Sequence, residues 1–434
     1  MAGVNRTNTG AALRAPRSRN TALVLDLLRG AGAGGISRLE LAERTGLTPQ
    51  AVSKITGRLR EEGLAAEAGH RASTGGKPRT VLRLVPGAGH AVGVHLDRDA
   101  LRAVLVDLAG TVVGERYAAL DLGAGAEAVV SAVAGEIEAL ARGARGEGGA
   151  QGAGSDAGSG AGGDGLPRAA RQRGGTGAGS PVGSRGAVAP GPVARGAAAP
   201  PARALQPPGD TPSALGALPS LLGLGVALPG PLDHTRGVLH RVTGFPEWDG
   251  FPLRDALARR LGVPVVVDKD TNAAALGLAV AGERGSFAYL HLGTGLGAGL
   301  VIGGTVHRGA RTGAGEFGHQ VVQLDGPPCD CGDRGCVEAL CLAAVARSDL
   351  AEAARVLGIA AGNLVALLDI DLVLLGGRTV ATAPDAFLRG VEAVLGERAR
   401  RTGEETVPVR PAADEVAEGA AQLVLAPLFG RADA

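Results

Sequence analysis

The stretch Glu316–Glu338 constrains this chain more than any other. It gathers three of the four cysteines, Cys329, Cys331 and Cys336, ten to seventeen residues after His319. Thiolate and imidazole are the ligands that tetrahedral zinc prefers, and three Cys with one His, leaving no open position, make a structural site rather than a catalytic one. Gly332 and Gly335 permit the tight turns that clustered ligands need. The alternative is a disulfide pair. No secretory n-region or apolar h-region opens the chain and its first 328 residues hold no cysteine, so a zinc knuckle over 319–336 is the favoured reading. Cys341 lies in the apolar run Val337, Ala339, Leu340, Leu342 and is expected to be a small buried hydrophobe.

A chain of 434 residues is too long for one ordinary core and predicts two or three domains. The net charge of +1 becomes informative only when divided: residues 1–85 hold 14 Lys+Arg against 6 Asp+Glu, and the remainder 30 against 37. The basic part is N-terminal. No run of eighteen apolar residues occurs, which predicts no membrane span and a cytoplasmic protein.

Residues 1–18 are polar, Arg-dotted and aperiodic, and read as a disordered basic tail. Residues 19–85 then read as a winged helix-turn-helix. A first helix over Thr21–Arg29 presents Leu23, Val24, Leu27 and Leu28. Ser37 and Glu40 form a capping box for a second helix, and Thr48 with Pro49 starts a third, whose buried stripe is Val52, Ile55 and Leu59. The opposite face of that third helix carries Gln50, Ser53, Lys54 and Arg58, side chains with the reach to contact base edges and phosphates of operator DNA. Two strands follow around a glycine-rich tip with Lys77 and Arg79, a candidate wing. The bland alternative is a helical interaction module with solvated charged faces.

Strand-like runs at 92–96 and 101–108 and a helix over 126–142 come next. Residues 143–214 are Gly, Ala, Pro, Arg and Ser with almost no large apolar side chain, and are expected to be a disordered insertion. Beyond it stand an apolar strand at 223–228, a helix at 253–261, a strand at 263–267 entering Asp268-Lys269-Asp270-Thr271-Asn272, the glycine-rich Leu292–Gly299, a strand and Gly turn at 372–377, and an amphipathic last helix at 415–429. Trp248 is expected to pack rather than to serve as a ligand platform.

Glu-x-Gly-His at 316–319 followed by Cys-x-Cys-Gly-x-x-Gly-Cys-x-Glu at 329–338 resembles the signature of the ROK family of repressors and sugar kinases. The resemblance implies an α/β, two-lobe, actin-like (ribonuclease-H-like) sugar-binding domain, here 90–142 and 220–434, behind the DNA-binding module. By the same match Asp270 takes the place of the carboxylate that deprotonates the sugar hydroxyl in the kinases, and Glu316, His319 and Glu338 complete the sugar set. Lys269 stands where an Asn is usual, which brings a ligand with an acidic group into view. The kinase turn Asp-x-Gly-Gly-Thr is replaced by His95-Leu96-Asp97-Arg98-Asp99, so two carboxylates face the place of the ATP phosphates and a plain hairpin turn is expected instead. The expected function is a zinc-bearing, sugar-responsive transcriptional regulator, a homodimer or dimer of dimers, without catalytic activity. The rivals are an ATP-dependent sugar kinase with an appended DNA-binding module, and a module that acts by recruiting another protein.

Overall fold

The computed structural model describes residues 18–71, 79–146, 215, 220–240, 242, 245–413 and 415–431; the expected tail before Ser18, the wing tip with Lys77 and the insertion beyond residue 146 lie outside them. Helix α1 (Arg19–Gly30) begins at Ser18, whose hydroxyl accepts from Thr21 N–H. Strand β1 (Ile36–Ser37) runs into α2 (Arg38–Thr45) through a complete capping box, Ser37 N–H donating to Glu40 at 2.8 Å and Glu40 N–H to Ser37 Oγ at 3.3 Å. Thr48 caps α3 (Pro49–Glu61), and proline fills its first position, where no N–H is missed. Strands β2 (Ala65–Arg71) and β3 (Arg79–Leu84) complete a three-stranded sheet in the order β1-β3-β2, the wing of a winged helix.

Two apolar stripes differ from expectation. On α1, Leu23 is 39% exposed and Leu25 is buried, because the packed face centres on Ala22, Leu25 and Leu28. On α3, Val52 and Leu59 are fully buried while Ile55 is only partly covered, and Thr56 fills the gap with its hydroxyl bonded back to Val52 O at 2.8 Å.

The first lobe opens with the antiparallel meander β4 (His90–Leu96), β5 (Ala100–Asp107) and β6 (Val112–Ala119), then α4 (Ala126–Gly146). Strand β7 (Leu221–Leu228), buried at every residue, lies parallel to β4. After the small ribbon β8 (Leu232–Asp233) and β9 (Val238–Leu239), helix α5 (Leu253–Leu261) leads to β10 (Val265–Lys269). The sheet order is β10-β7-β4-β5-β6. Trp248 is fully buried in this lobe and donates from Nε1 to Leu122 O at 2.9 Å, a packing role as expected.

Helix α6 (Asp270–Ala281) crosses to the second lobe, which repeats the plan. Its meander is β11 (Phe287–Leu292), β12 (Leu296–Ile302) and β13 (Thr305–Val306). Helices α7 (Val337–Ala346) and α8 (Leu350–Leu368) precede β14 (Leu372–Gly376), and α9 (Arg378–Thr382) and α10 (Pro384–Thr402) precede β15 (Val409–Pro411). The order is β13-β12-β11-β14-β15. Among the described residues α8 alone is long and apolar enough to cross a membrane, and half of it is buried in this lobe's core.

The last helix, α11 (Val416–Leu425), was expected to have one polar face but is buried nearly all round. Its Ala and Gly side chains let it lie directly on the first sheet. An added Cβ on Gly225 would come 1.8 Å from Ala420 O, so only glycine admits this approach. The other side of α11 and the adjoining Phe429 share one core with Val24, Leu25 and Leu28 of α1 and with Val104 and Leu222 of the first lobe. Arg29 donates to Ala109 O and Gln422, and Arg431 pairs with Asp26 at 3.1 Å.

Candidate functional site

The turn from β10 to α6 delivers Asp268, Lys269 and Asp270 to the end of the first sheet. Asp268 points inward: Arg308 Nε donates to it at 2.7 Å, Asn272 Nδ2 at 2.9 Å and Lys269 N–H at 2.8 Å, and both members of the ion pair are buried. A buried pair satisfied by further donors in this way rigidifies the turn. The Lys269 side chain is only 4% exposed; its Nζ donates to Ala314 O and pairs with Glu316 Oε1 at 3.1 Å. Glu338, on the first turn of α7, accepts from Leu296 N–H at 2.7 Å. Lys269, Asp270, Glu316, His319 and Glu338 all line one cavity of about 90 Å³, so the structure brings together every ligand residue expected from the sequence.

Asp97, Arg98, His291 and Thr294 line the same cavity and had no such role in the sequence reading. His291 carried a signal, an imidazole on the face of β11 that Phe287 and Tyr289 share by alternation. Its Nδ1 bonds Tyr289 OH at 2.9 Å. Arg98 stacks on Phe245 at 5.7 Å, a contact between loops that no periodicity announces. The lining is rich in carboxylate acceptors with a few fixed donors, a chemistry suited to a polyhydroxylated ligand.

Beside the cavity, one ligand atom each from His319, Cys329, Cys331 and Cys336 lie within 4.8 Å of one another. Cys329 Sγ is 3.7 Å from His319 Nδ1, and Cys331 Sγ is 3.7 Å from Cys336 Sγ. Sulfurs bound at about 2.3 Å around a tetrahedral ion stand about 3.8 Å apart, whereas a disulfide needs about 2.0 Å. All four cysteines are free thiols, so the disulfide alternative falls away and the group can hold a metal ion. Burial, and then hydrogen bonding with Cys331 and Cys329, pushes the Cys336 thiol up to about 12. A bound cation is what allows such a set to ionise together. Gly335 makes the loop possible: with φ at 66°, its missing Cβ would lie 1.6 Å from Gln323 O. Cys336 occupies the N-cap position of α7, two residues before Glu338. Cys341 is buried in the second lobe's core, as expected.

On the winged helix, Gln50, Ser53, Lys54 and Arg58 are all exposed along α3. Arg58 Nε also pairs with Glu62 at 3.0 Å on the same helix. Arg79 is exposed at the start of β3; Lys77 lies outside the described residues. The turn at Asp97–Asp99 is a hairpin between β4 and β5, as expected.

Residues 213–344 match the ROK family and residues 20–65 match a winged helix-turn-helix DNA-binding family. A putative xylose repressor of Caldicellulosiruptor sp. (strain Rt8B.4) is 24% identical over 408 residues, covering 84% of each chain. A glucokinase of Thermotoga maritima is 42% identical, but over 133 residues that make up 30% of this chain and 42% of that one. A crystal structure of a ROK family transcriptional regulator, a homologue of the E. coli Mlc protein, shares the fold with a TM-score of 0.65 at 19% identity, covering 94% of this chain and 96% of that one. The chain thus carries a ROK family domain behind an N-terminal winged helix-turn-helix.

Proposed function

We propose that this protein is a sugar-responsive DNA-binding transcriptional repressor of carbohydrate genes. The observation that carries the reading is the continuous core joining α1 of the winged helix to the first lobe and α11, because it ties the DNA-reading face to the domain that holds the cavity. The similarity to a repressor across both parts of the chain supports it. In this reading residues 19–85 bind an operator, with Gln50, Ser53, Lys54 and Arg58 on base edges and phosphates and Lys77 and Arg79 on the wing. Residues 90–142 and 220–434 form the sensor, in which Lys269, Asp270, Glu316, His319 and Glu338 bind the sugar. Zinc on His319, Cys329, Cys331 and Cys336 holds the start of α7, and so Glu338, in place. The protein acts in the cytoplasm as a homodimer or dimer of dimers. Sugar binds one lobe arrangement better than another and so changes the spacing of the two DNA-reading helices.

The rival reading, a DNA-binding sugar kinase, draws on Asp270 and on the glycine-rich turn at 293–297. Two carboxylates, Asp97 and Asp99, on the facing turn weigh against a triphosphate there. The deciding experiment selects an operator in vitro and titrates the protein–DNA complex with a sugar panel that includes xylose and glucose. Asp270→Ala is expected to leave DNA affinity intact and to abolish the sugar response. A bound sugar that drives ADP release in a coupled assay, lost with Asp270→Ala, would decide for the kinase.

A further inference from the structure

The hairpin turn between β4 and β5 belongs to the first lobe but forms part of the ligand cavity, supplying Asp97 and Arg98. Within its own lobe the turn is closed by Asp97 N–H bonding Ala100 O at 2.8 Å and by Asp97 Oδ1 accepting from Arg98 N–H at 2.7 Å. The second lobe grips it from the other side. Arg378, the first residue of α9, places Nη2 3.1 Å from Asp97 Oδ2 and Nη1 3.1 Å from Asp99 Oδ1. Thr294 Oγ1 donates to Asp97 Oδ1 at 3.3 Å, and Thr379 Oγ1 donates to Gly293 O at 3.0 Å, which ties α9 to the β11–β12 turn. One guanidinium and one hydroxyl from the second lobe thus hold a pair of carboxylates from the first.

We propose that Arg378, which is not itself among the residues lining the cavity, is a positioning residue for ligand binding, clasping the two lobes through Asp97 and Asp99 and thereby setting Asp97 and Arg98 in the cavity wall. The charges of the cavity explain why a cation is needed there. Asp97 shares the cavity with the carboxylates Asp270, Glu316 and Glu338 and with the cations Lys269 and Arg98, so carboxylates are in excess. Lys269 offsets Glu316, and Arg378 does the same for Asp97; without it the like charges drive the turn away from the cleft. The Asp97 side chain is 16% exposed but those of Arg378 and Asp99 are 45% and 65% exposed, so salt weakens the clasp.

The inference deepens the sugar-sensing reading and rests on it, but one arm of its test needs no ligand. In the full-length protein at low salt, Arg378→Ala is expected to speed amide hydrogen exchange at both 96–100 and 293–297, with Arg378→Lys in between. With a sugar that binds the wild type, Arg378→Ala is expected to weaken affinity about fivefold, the span of a networked, partly exposed ion pair. Raising salt to about 0.5 M, where screening acts within a few ångströms, is expected to bring wild type and variant together. Unchanged exchange at both turns overturns the clasp. Faster exchange with unchanged affinity and salt dependence overturns the positioning role. If no sugar binds the wild type, the sensing reading fails while the exchange arm still decides the clasp.

Discussion

The two lobes are built on one sheet plan, β10-β7-β4-β5-β6 in the first and β15-β14-β11-β12-β13 in the second, yet the hairpins they offer to the cleft have opposite chemistry. The first ends in Asp97-Arg98-Asp99; the second, at Leu292–Gly297, alternates glycine with Leu and Thr and carries no charge. Both sheets are pressed at a glycine by a central helix. Gly225 lies under Ala420 of α11 and Gly299 under Thr271 of α6, where added Cβ atoms would come 1.8 and 2.0 Å from a carbonyl oxygen. Packing therefore holds the shared plan in place at these glycines, while the hairpin tips beyond them differ in glycine content and charge.

Among the described residues the lobes differ most in the Cys and His group that could hold a metal ion, which belongs to the second alone. Chelation, or Cys336→Ser, is expected to abolish ligand binding and to lower the melting temperature by roughly 10 °C, the consequence of losing several kcal/mol in a domain of this size. Elemental analysis of the untreated protein is expected to find about one zinc per chain, and folded, sugar-binding protein without metal would break the comparison. Outside both lobes, Lys54→Ala with Arg58→Ala is expected to weaken operator binding by about tenfold or more. Changes at Lys77 or Arg79 are expected to reduce the salt slope by about one each. Sugar affinity that moved with these variants would show that the module does more than read DNA. A matched pair of substitutions sharpens the comparison most: Gly225→Ala and Gly299→Ala are each expected to cost about 1–3 kcal/mol in chemical unfolding. A loss in one lobe only would mean that the two glycines are not equivalent supports.

Much of this molecule was legible because its signals are local. Ser37 with Glu40 and Thr48 with Pro49 announce helix starts within four residues, and His319 with the cysteines announces a metal group within eighteen. The five residues proposed to bind the ligand came from motif resemblance, and one cavity brings them together. What escaped were pairings between distant positions: Arg308 with Asp268, 40 residues apart, and Arg378 with Asp99, 279 apart. A lone arginine on a loop carries no pattern that names its partner. The burial of α11 escaped for another reason. Alanine and glycine look neutral in a hydrophobic pattern, yet their small size is what lets a helix lie on a sheet's backbone.

The shared core beneath α1 also bears on any attempt to re-engineer this protein as a biosensor. Leu222, Ala421, Leu425 and Phe429 share one core with Val24, Leu25 and Leu28, so a chimaera that exchanged the DNA module at the chain boundary would leave an oily scar on the sensor and another on the transplant. A workable graft must move the underside of α1 together with Arg29 and Asp26, which meet Gln422 and Arg431 across the seam. The unit of exchange is thus a three-dimensional joint drawn from both ends of the chain, not a contiguous stretch of gene.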